Sequence, residues 1–423
     1  MIKREIFKQL EDHLEEKEIT LIVGPRQAGK TTLMMLLLEE LQKNSQKTLF
    51  LSLDNDQDKK YFNSQVDLVN FFKLNFGDQK GYVFIDEIQR KEDAGVFLKG
   101  IYDQNLPYKL IVTGSGSLEL KEKIHESLAG RKKMFEVMTI SLKEFVNFKT
   151  DYKFENNLED FFRFDKTLPE QLLNEYMQYG GYPRVITSKT HNEKISSIQE
   201  IYTSYIEKDI IDLLNVQKSE SFGNLLTILA SQVGQIINYT ELSSIVNIDV
   251  DTVKKYLWYL RKTFINTKVS PYFKNTRKEV IKAPVYYFND LGLRNFALNR
   301  MSYFNLLTDG GFLFQNLIAL QLKENYSNFL INYWRSKGGA EVDFILNAGT
   351  EILPMEVKYK ELKTNNVSKS LGSYISEHKP SKVYVVNKNF YDSRVFEGTT
   401  VDFIPYYKLL SNNFIKNSQK SSK

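Results

Sequence analysis

The chain contains no cysteine. That excludes a disulfide framework and any thiolate metal site, and it suits a reducing cytosol. Histidine is almost as scarce, with four residues in 423 and none at a metal-ligand spacing, so zinc is not expected. Apolar runs such as Leu33-Met-Met-Leu-Leu-Leu38 fall far short of the roughly 20 residues needed to cross a bilayer. The start, Met1-Ile-Lys-Arg-Glu-Ile-Phe-Lys, is charged and lacks the apolar core of a signal peptide. These absences lead to the expectation of a soluble, cytoplasmic protein with no membrane segment. There is no strong excess of one charge either. Lys and Arg number 57 against 52 Asp and Glu, a net charge of +5, which permits an acidic partner without demanding one. The hydrophobic content of 42% is enough for ordinary globular cores, and the length predicts about three domains.

Against that plain background, residues 24–31 stand out. They read Gly24-Pro25-Arg26-Gln27-Ala28-Gly29-Lys30-Thr31, a complete G-x-x-x-x-G-K-[ST] loop. A strand-like run, Ile19-Thr-Leu-Ile-Val23, precedes it. A helix-like run, Thr32-Leu-Met-Met-Leu-Leu-Leu-Glu39, follows. An ordinary glycine turn does not need both flanks; a phosphate-binding loop does. Glycine lets the backbone wrap a phosphate with its N–H groups pointing inward, and the helix start adds a positive dipole end. Lys30 is placed to neutralise β- and γ-phosphates, and the Thr31 hydroxyl to hold Mg²⁺.

A second half of the site is legible further on. Gly81-Tyr-Val-Phe-Ile85 is an apolar run with the character of a buried parallel strand, and it ends in Asp86-Glu87. Asp86 reads as the carboxylate on the metal side, and Glu87 as the general base for an attacking water. A third buried run, Lys109-Leu-Ile-Val-Thr113, leads into Gly-Ser115-Gly-Ser117. Thr113, Ser115 and Ser117 all offer a hydroxyl for sensing a γ-phosphate, and the sequence does not choose among them.

These residues carry a resemblance. Gly24–Thr32, Phe84-Ile-Asp-Glu-Ile-Gln-Arg90 and Thr113-Gly-Ser115 resemble AAA+ ATPases of the archaeal-ATPase and STAND-related branch. More narrowly, the chain is similar to prokaryotic ATPases whose C-terminal half is an uncharacterised domain with a restriction-endonuclease-like core. The resemblance runs over almost the whole chain. It implies ATP and Mg²⁺ as cofactors, with Gly24 to Thr32 holding the nucleotide. It also implies an arginine acting in trans or as a sensor, matched by Arg131 in Leu128-Ala-Gly-Arg131, and self-association through it. Arg131 equally reads as a surface charge in the cluster Arg131-Lys132-Lys133. Gly180-Gly-Tyr-Pro183 resembles the Gly-x-Pro element that touches the nucleotide base in STAND-type proteins; it also reads as a helix-ending turn.

Strand-like runs at 19–23, 48–53, 82–86 and 109–113 alternate with helices, the pattern of a doubly wound parallel α/β sheet, with a further strand expected in 134–140. The expected organisation is an ATPase core over 1–145, a helical lid over 146–216, a winged helix-turn-helix over 217–290, a restriction-endonuclease-like αβ domain over 291–410 and a disordered tail over 411–423. In the winged module, three helices precede a hairpin of strands 264–273 and 279–288. Asp249 is the expected cap of the third helix. Lys254, Lys255, Arg261 and Lys262 on that helix, with Lys274, Arg277 and Lys278 at the hairpin tip, are candidates for DNA contact, or else a solvated face.

The last unit shows an αβββαβ order that looks like the PD-(D/E)XK nuclease core. Glu356 and Lys358 project from one face of a strand, and Asp343 is placed to face them from its neighbour. Two carboxylates with a lysine suit a Mg²⁺-dependent nuclease. Where active relatives commonly add a glutamate, this chain has Gln315, and a neutral amide is a poor ligand for a hard cation. The expected function is an ATP-hydrolysing switch, with DNA as a candidate partner. An ATP-gated nuclease and a STAND-like signalling module with little turnover are the rivals.

Overall fold

A computed structural model describes residues 1–115, 127–210, 219–272, 283–301, 306–349 and 351–411. Its first unit is built on a five-stranded sheet: β1 (Ile19–Gly24), β2 (Thr48–Ser52), β3 (Gly81–Asp86), β4 (Tyr108–Ser115) and β5 (Lys132–Glu136). The order is β2-β3-β4-β1-β5, and every pair is parallel. Successive residues of β3 face opposite ways, as the strand period requires. Tyr82 and Phe84 pack with Leu33, Met34 and Leu37 of the helix Lys30–Lys43. Val83 and Ile85 pack with Phe72 and Leu98 on the other face. The α/β alternation expected from the sequence is therefore present, and β5 is its anticipated extra strand.

Parallel strands bring all their C-terminal ends to one edge, so Gly24, Asp86 and the end of β4 meet there. Arg131 lies at the opposite edge. It immediately precedes β5, and its carbonyl accepts from Ile19 N–H at the start of β1, at 2.9 Å.

Helices follow from Leu142 to Tyr202. Two of them start in reciprocal capping boxes, Ser141 with Glu144 and Thr190 with Glu193, which satisfy backbone N–H groups that a helix leaves unpaired. Three more helices come next: Ser219–Ser231, Tyr239–Val246 and Val250–Lys262. The last is capped by Asp249, as expected, through Thr252 N–H at 2.8 Å. The hairpin is β6 (Asn266–Pro271) against β7 (Val285–Phe288), antiparallel. Its expected tip residues Lys274, Arg277 and Lys278, like Ser117, lie outside the described residues.

The remaining chain runs through the helix Leu306–Asn325, β8 (Leu330–Arg335), β9 (Glu341–Asn347), β10 (Ile352–Val357), the helix Lys369–His378 and β11 (Lys382–Asn387). Two strands that the sequence reading did not anticipate, β12 (Asp392–Phe396) and β13 (Thr399–Pro405), extend the sheet.

One difference from the expected organisation matters for the site. The hairpin does not stand apart as a wing. Ser270 and Pro271 of β6 pair in parallel with Asn332 and Tyr333 of β8, so the hairpin is the end of an eight-stranded sheet, β12-β13-β11-β10-β9-β8-β6-β7. That pairing occupies β6 backbone groups that would otherwise lie along an open edge. Packing follows the same continuity. One hydrophobic core includes described residues on both sides of the expected boundaries 216 and 290, among them Ile140, Phe222, Leu257, Phe288, Phe314 and Leu410. Phe264 does something different again. It sits at φ 62, a conformation that bulky residues rarely adopt, and its ring is buried in the core beneath the first sheet.

Candidate nucleotide site

The loop Gly24–Thr31 leaves β1 at the sheet's C-terminal edge. A Cβ on Gly24 would lie 2.0 Å from the Val137 carbonyl oxygen, so only glycine allows the loop to start there. Gln27 and Gly29 have φ 58 and 93. Such turns aim consecutive N–H groups into a concavity that suits an anion. The helix opens at Lys30, and its first N–H groups have no carbonyl partner within the helix.

Lys30 is buried, with its Nζ donating to the carbonyls of Gly24 at 3.1 Å and Pro25 at 2.8 Å. Burial pulls its pKa down to about 8, against the opposing pull of Glu87 and Asp86. The Thr31 hydroxyl donates to Asp86 at 3.1 Å. Asp86 also accepts from the Thr113 hydroxyl. Thr113 in turn accepts from the Glu87 N–H at 3.1 Å. A chain of hydrogen bonds thus links Thr31, Asp86, Thr113 and Glu87. It exists because β4 lies between β1 and β3, which puts Thr113 within reach of both acidic residues. Glu87 stands at φ 58, a strained setting for a non-glycine residue and common where function demands it. Burial raises its carboxyl above the usual range; the Gln89 amide, which donates to it, opposes that rise.

The donor set fits a nucleotide with a hard cation. It offers a concave loop of N–H groups, a buried ammonium, and a hydroxyl and a carboxylate that converge on one point. Thr32 follows on the first helical turn and is exposed. Of the residues expected in the site, Arg131 is not brought to it. Its guanidinium pairs with Asp103 at 2.7 Å at the far edge of the sheet. Pro183 is brought in, although it is 153 positions from Lys30 in sequence. A Cβ on Gly29 would lie 3.9 Å from Pro183 Cγ, so the Gly180–Pro183 turn abuts the loop.

Two residues beside the loop carried no signal in the sequence. Arg4 donates to Ala28 O at 3.1 Å, to Met138 O at 2.8 Å and to both Glu144 oxygens at 3.1 Å. The Arg4 and Glu144 side chains are only 9% and 5% exposed, so the pair braces the loop from behind. Asp290 accepts from Gly181 N–H at 2.8 Å and so holds the turn that carries Pro183.

Residues 16–146 match the family model described as an AAA domain. This part of the chain carries an AAA domain. The segments beyond it match two further models, each described as a domain of unknown function: DUF8612 over residues 170–303 and DUF4143 over residues 310–409. An uncharacterized protein of Haemophilus influenzae is 24% identical over 417 residues, covering 96% of this chain and 98% of its own length. A second, from Methanocaldococcus jannaschii, is 23% identical over 423 residues, with 95% and 90% covered. Among solved structures, DnaA from Aquifex aeolicus bound to AMPPCP is 15% identical; the match covers 62% of this chain and 90% of that one at a TM-score of 0.31.

The second expected constellation lies outside the AAA domain. Asp343 on β9 accepts from the Gln315 amide at 2.8 Å and from Val357 N–H at 2.6 Å. Glu356 pairs with Lys358 at 2.8 Å and accepts from the Ser368 hydroxyl at 2.7 Å. Gln315 also meets the Tyr287 hydroxyl at 3.0 Å. Burial pushes the Asp343 carboxyl up to about 7, with the Glu356 charge adding to the rise and the Val357 N–H and Lys358 opposing it. The four residues lie near one another as two bonded pairs, Gln315 with Asp343 and Lys358 with Glu356. Among the described residues, no group of three or more His, Cys, Asp or Glu is disposed to hold a metal ion.

Proposed function

We propose that this protein binds ATP with Mg²⁺ at the AAA-domain loop, hydrolyses it, and uses the change of nucleotide state to reposition its C-terminal half. The hydrogen-bond chain Thr31–Asp86–Thr113–Glu87 beside the buried Lys30 carries the reading. In it, Lys30 turns from its own loop carbonyls to the β- and γ-phosphate charge, which it offsets. Thr31 and Asp86 hold the cation, which supplies electrostatic stabilisation of the phosphoryl oxygens. Glu87 accepts the proton of the attacking water, and its raised pKa brings it closer to the operating pH. Thr113 keeps both carboxylates in register.

The free lysine titrates near pH 8, and phosphate charge beside it favours the protonated form. Nucleotide binding above pH 8 therefore takes up a proton, and affinity falls as pH rises from 8 towards 10. Titration calorimetry with ATP and Mg²⁺ in buffers of different ionisation enthalpy measures that uptake. Absence of any binding heat at pH 7 and at pH 9 rules the site out.

For the C-terminal half, we infer a restriction-endonuclease-like fold that is not an active nuclease. The αβββαβ order supports the fold, and the Gln315 amide donating to Asp343 supports the loss of activity. Duplex DNA incubated with the protein, Mg²⁺ and ATP is expected to stay intact on a gel; cleavage that Asp343→Ala abolishes would restore the nuclease reading. The helices Ser219–Ser231 to Val250–Lys262 are read as a helix-turn-helix whose β6–β7 hairpin, instead of a free wing, is the end of the eight-stranded sheet. Lys254, Lys255 and Arg261 are exposed on its third helix and are the residues offered to DNA.

A further inference from the structure

At the turn Tyr179–Pro183, chain from beyond the AAA domain meets the phosphate loop on one side and the start of the helix Leu291–Ala297 on the other. Its geometry is fixed by very close backbone approach. A Cβ on Gly180, which has φ +74, would lie 2.3 Å from Asp290 Oδ1 and 2.6 Å from Gly292 N; a Cβ on Gly181 would lie 2.2 Å from Ile140 O; a Cβ on Gly292 would lie 2.1 Å from Tyr179 O. Three glycines thus let three chain segments, around residues 140, 180 and 291, meet at distances that no side chain permits.

At the centre of that contact is one buried carboxylate. Asp290 is 4% exposed. It accepts from Gly181 N–H at 2.8 Å and Leu293 N–H at 2.9 Å. The Gly292 N–H and the Thr139 hydroxyl also hold it. Each donor comes from a part with a separate task. Thr139 belongs to the stretch that packs against the loop's root, next to Val137 and to Met138, whose carbonyl Arg4 holds. Gly181 belongs to the turn that carries Pro183 to Gly29. Gly292 and Leu293 begin the helix Leu291–Ala297, which Asp290 caps. That helix is itself stapled down: the Asn295 amide donates to the carbonyls of Met177 and Gln178 at 2.9 Å each, and Arg294 Nε donates to Ala230 O at 2.8 Å.

We propose that Asp290 is a positioning residue that ties the Gly180–Pro183 turn to the helix Leu291–Ala297, so that nucleotide at the phosphate loop and the placement of that helix depend on one another. This rests on the nucleotide reading given above. A buried anion held by several N–H and O–H donors is stiff, because loss of any one donor leaves charge uncompensated. The turn therefore moves with the helix rather than away from it. Linkage makes the dependence mutual: whatever the helix does to nucleotide affinity, nucleotide does to the helix.

The test uses the full-length protein, a fluorescent ATP analogue with Mg²⁺, and amide hydrogen exchange with and without that analogue. In the parent protein, nucleotide is expected to slow exchange across residues 290–297. In Asp290→Asn, which keeps the shape but not the charge, affinity is expected to fall about tenfold, within the usual range for coupled sites, and the nucleotide-dependent slowing is expected to vanish. Should Asp290→Asn fail to fold, Pro183→Ala decides. That change removes the ring facing Gly29 and leaves the Asp290 cluster intact, so at saturating nucleotide the protection of 290–297 should be lost, whatever the change in affinity. The coupling is overturned by a parent that binds nucleotide yet shows unchanged exchange there. It is equally overturned by a folded Asp290→Asn, or by a Pro183→Ala standing in for it, that keeps parental protection. A parent that binds no nucleotide at all defeats the reading of the site instead.

Discussion

Glu87→Gln is expected to leave ATP binding unchanged and to lower its turnover by about 10²–10⁴-fold, the usual contribution of a positioned proton acceptor. The amide keeps the size and the contacts of the carboxylate but takes no proton from water. Lys30→Ala should behave in the opposite sense and lose binding itself, because the loop then has no cation to offset the phosphates. Phosphate release over time, set beside equilibrium binding of a fluorescent ATP analogue, separates the two effects. The acid limb of the parental rate profile should also lie above the ordinary glutamate value of about 4.3, since burial raises Glu87 and the base must be ionised to act. A Glu87→Gln protein that turns over at the parental rate removes Glu87 from the role.

Arg4→Ala is expected to cost about 3–5 kcal/mol of folding stability, the range for removing one partner of a buried ion pair. Glu144 would keep the Glu5 and Ser141 N–H groups but remain buried without its guanidinium, and the Ala28 and Met138 carbonyls would lose a donor. Lys3→Ala is the control. Its pair with Glu155 is 63% and 42% exposed, and exposed pairs contribute about 1 kcal/mol or less. Urea unfolding of the three proteins measures the contrast; equal midpoints for Arg4→Ala and Lys3→Ala would show that the brace behind the loop is unimportant.

What the sequence made legible here was local. The loop, its flanking strand and helix, and the Asp86-Glu87 pair each announce themselves within a few residues, because a phosphate loop needs its glycines, lysine and threonine at fixed spacing. That Thr113 reaches both acidic residues was not local. It turns on which strand neighbours β3, and is seen only once β4 is found to lie between β1 and β3. Arg4 and Asp290 were invisible for a related reason. Each is a single charge with no periodic context, and their partners Glu144 and Gly181 lie 140 and 109 positions away. The expected domain boundaries follow the local order of helices and strands. Neither the pairing of β6 with β8 nor a core that draws on residues from Ile140 to Leu410 leaves a mark on that local order. Gln315 is the converse case: its departure from the expected glutamate was plain in the sequence, and its amide is found donating to Asp343.

The ring of Phe264 limits how the molecule can rearrange. That ring is buried in the first sheet's core while the residue's backbone lies in the turn that joins the helices beyond, ending at Lys262, to β6. Pulling those helices away from the first unit would strip this phenyl group from its surroundings, at about 1.5–3 kcal/mol for full exposure. A rearrangement that swivels around the seated ring would avoid that penalty.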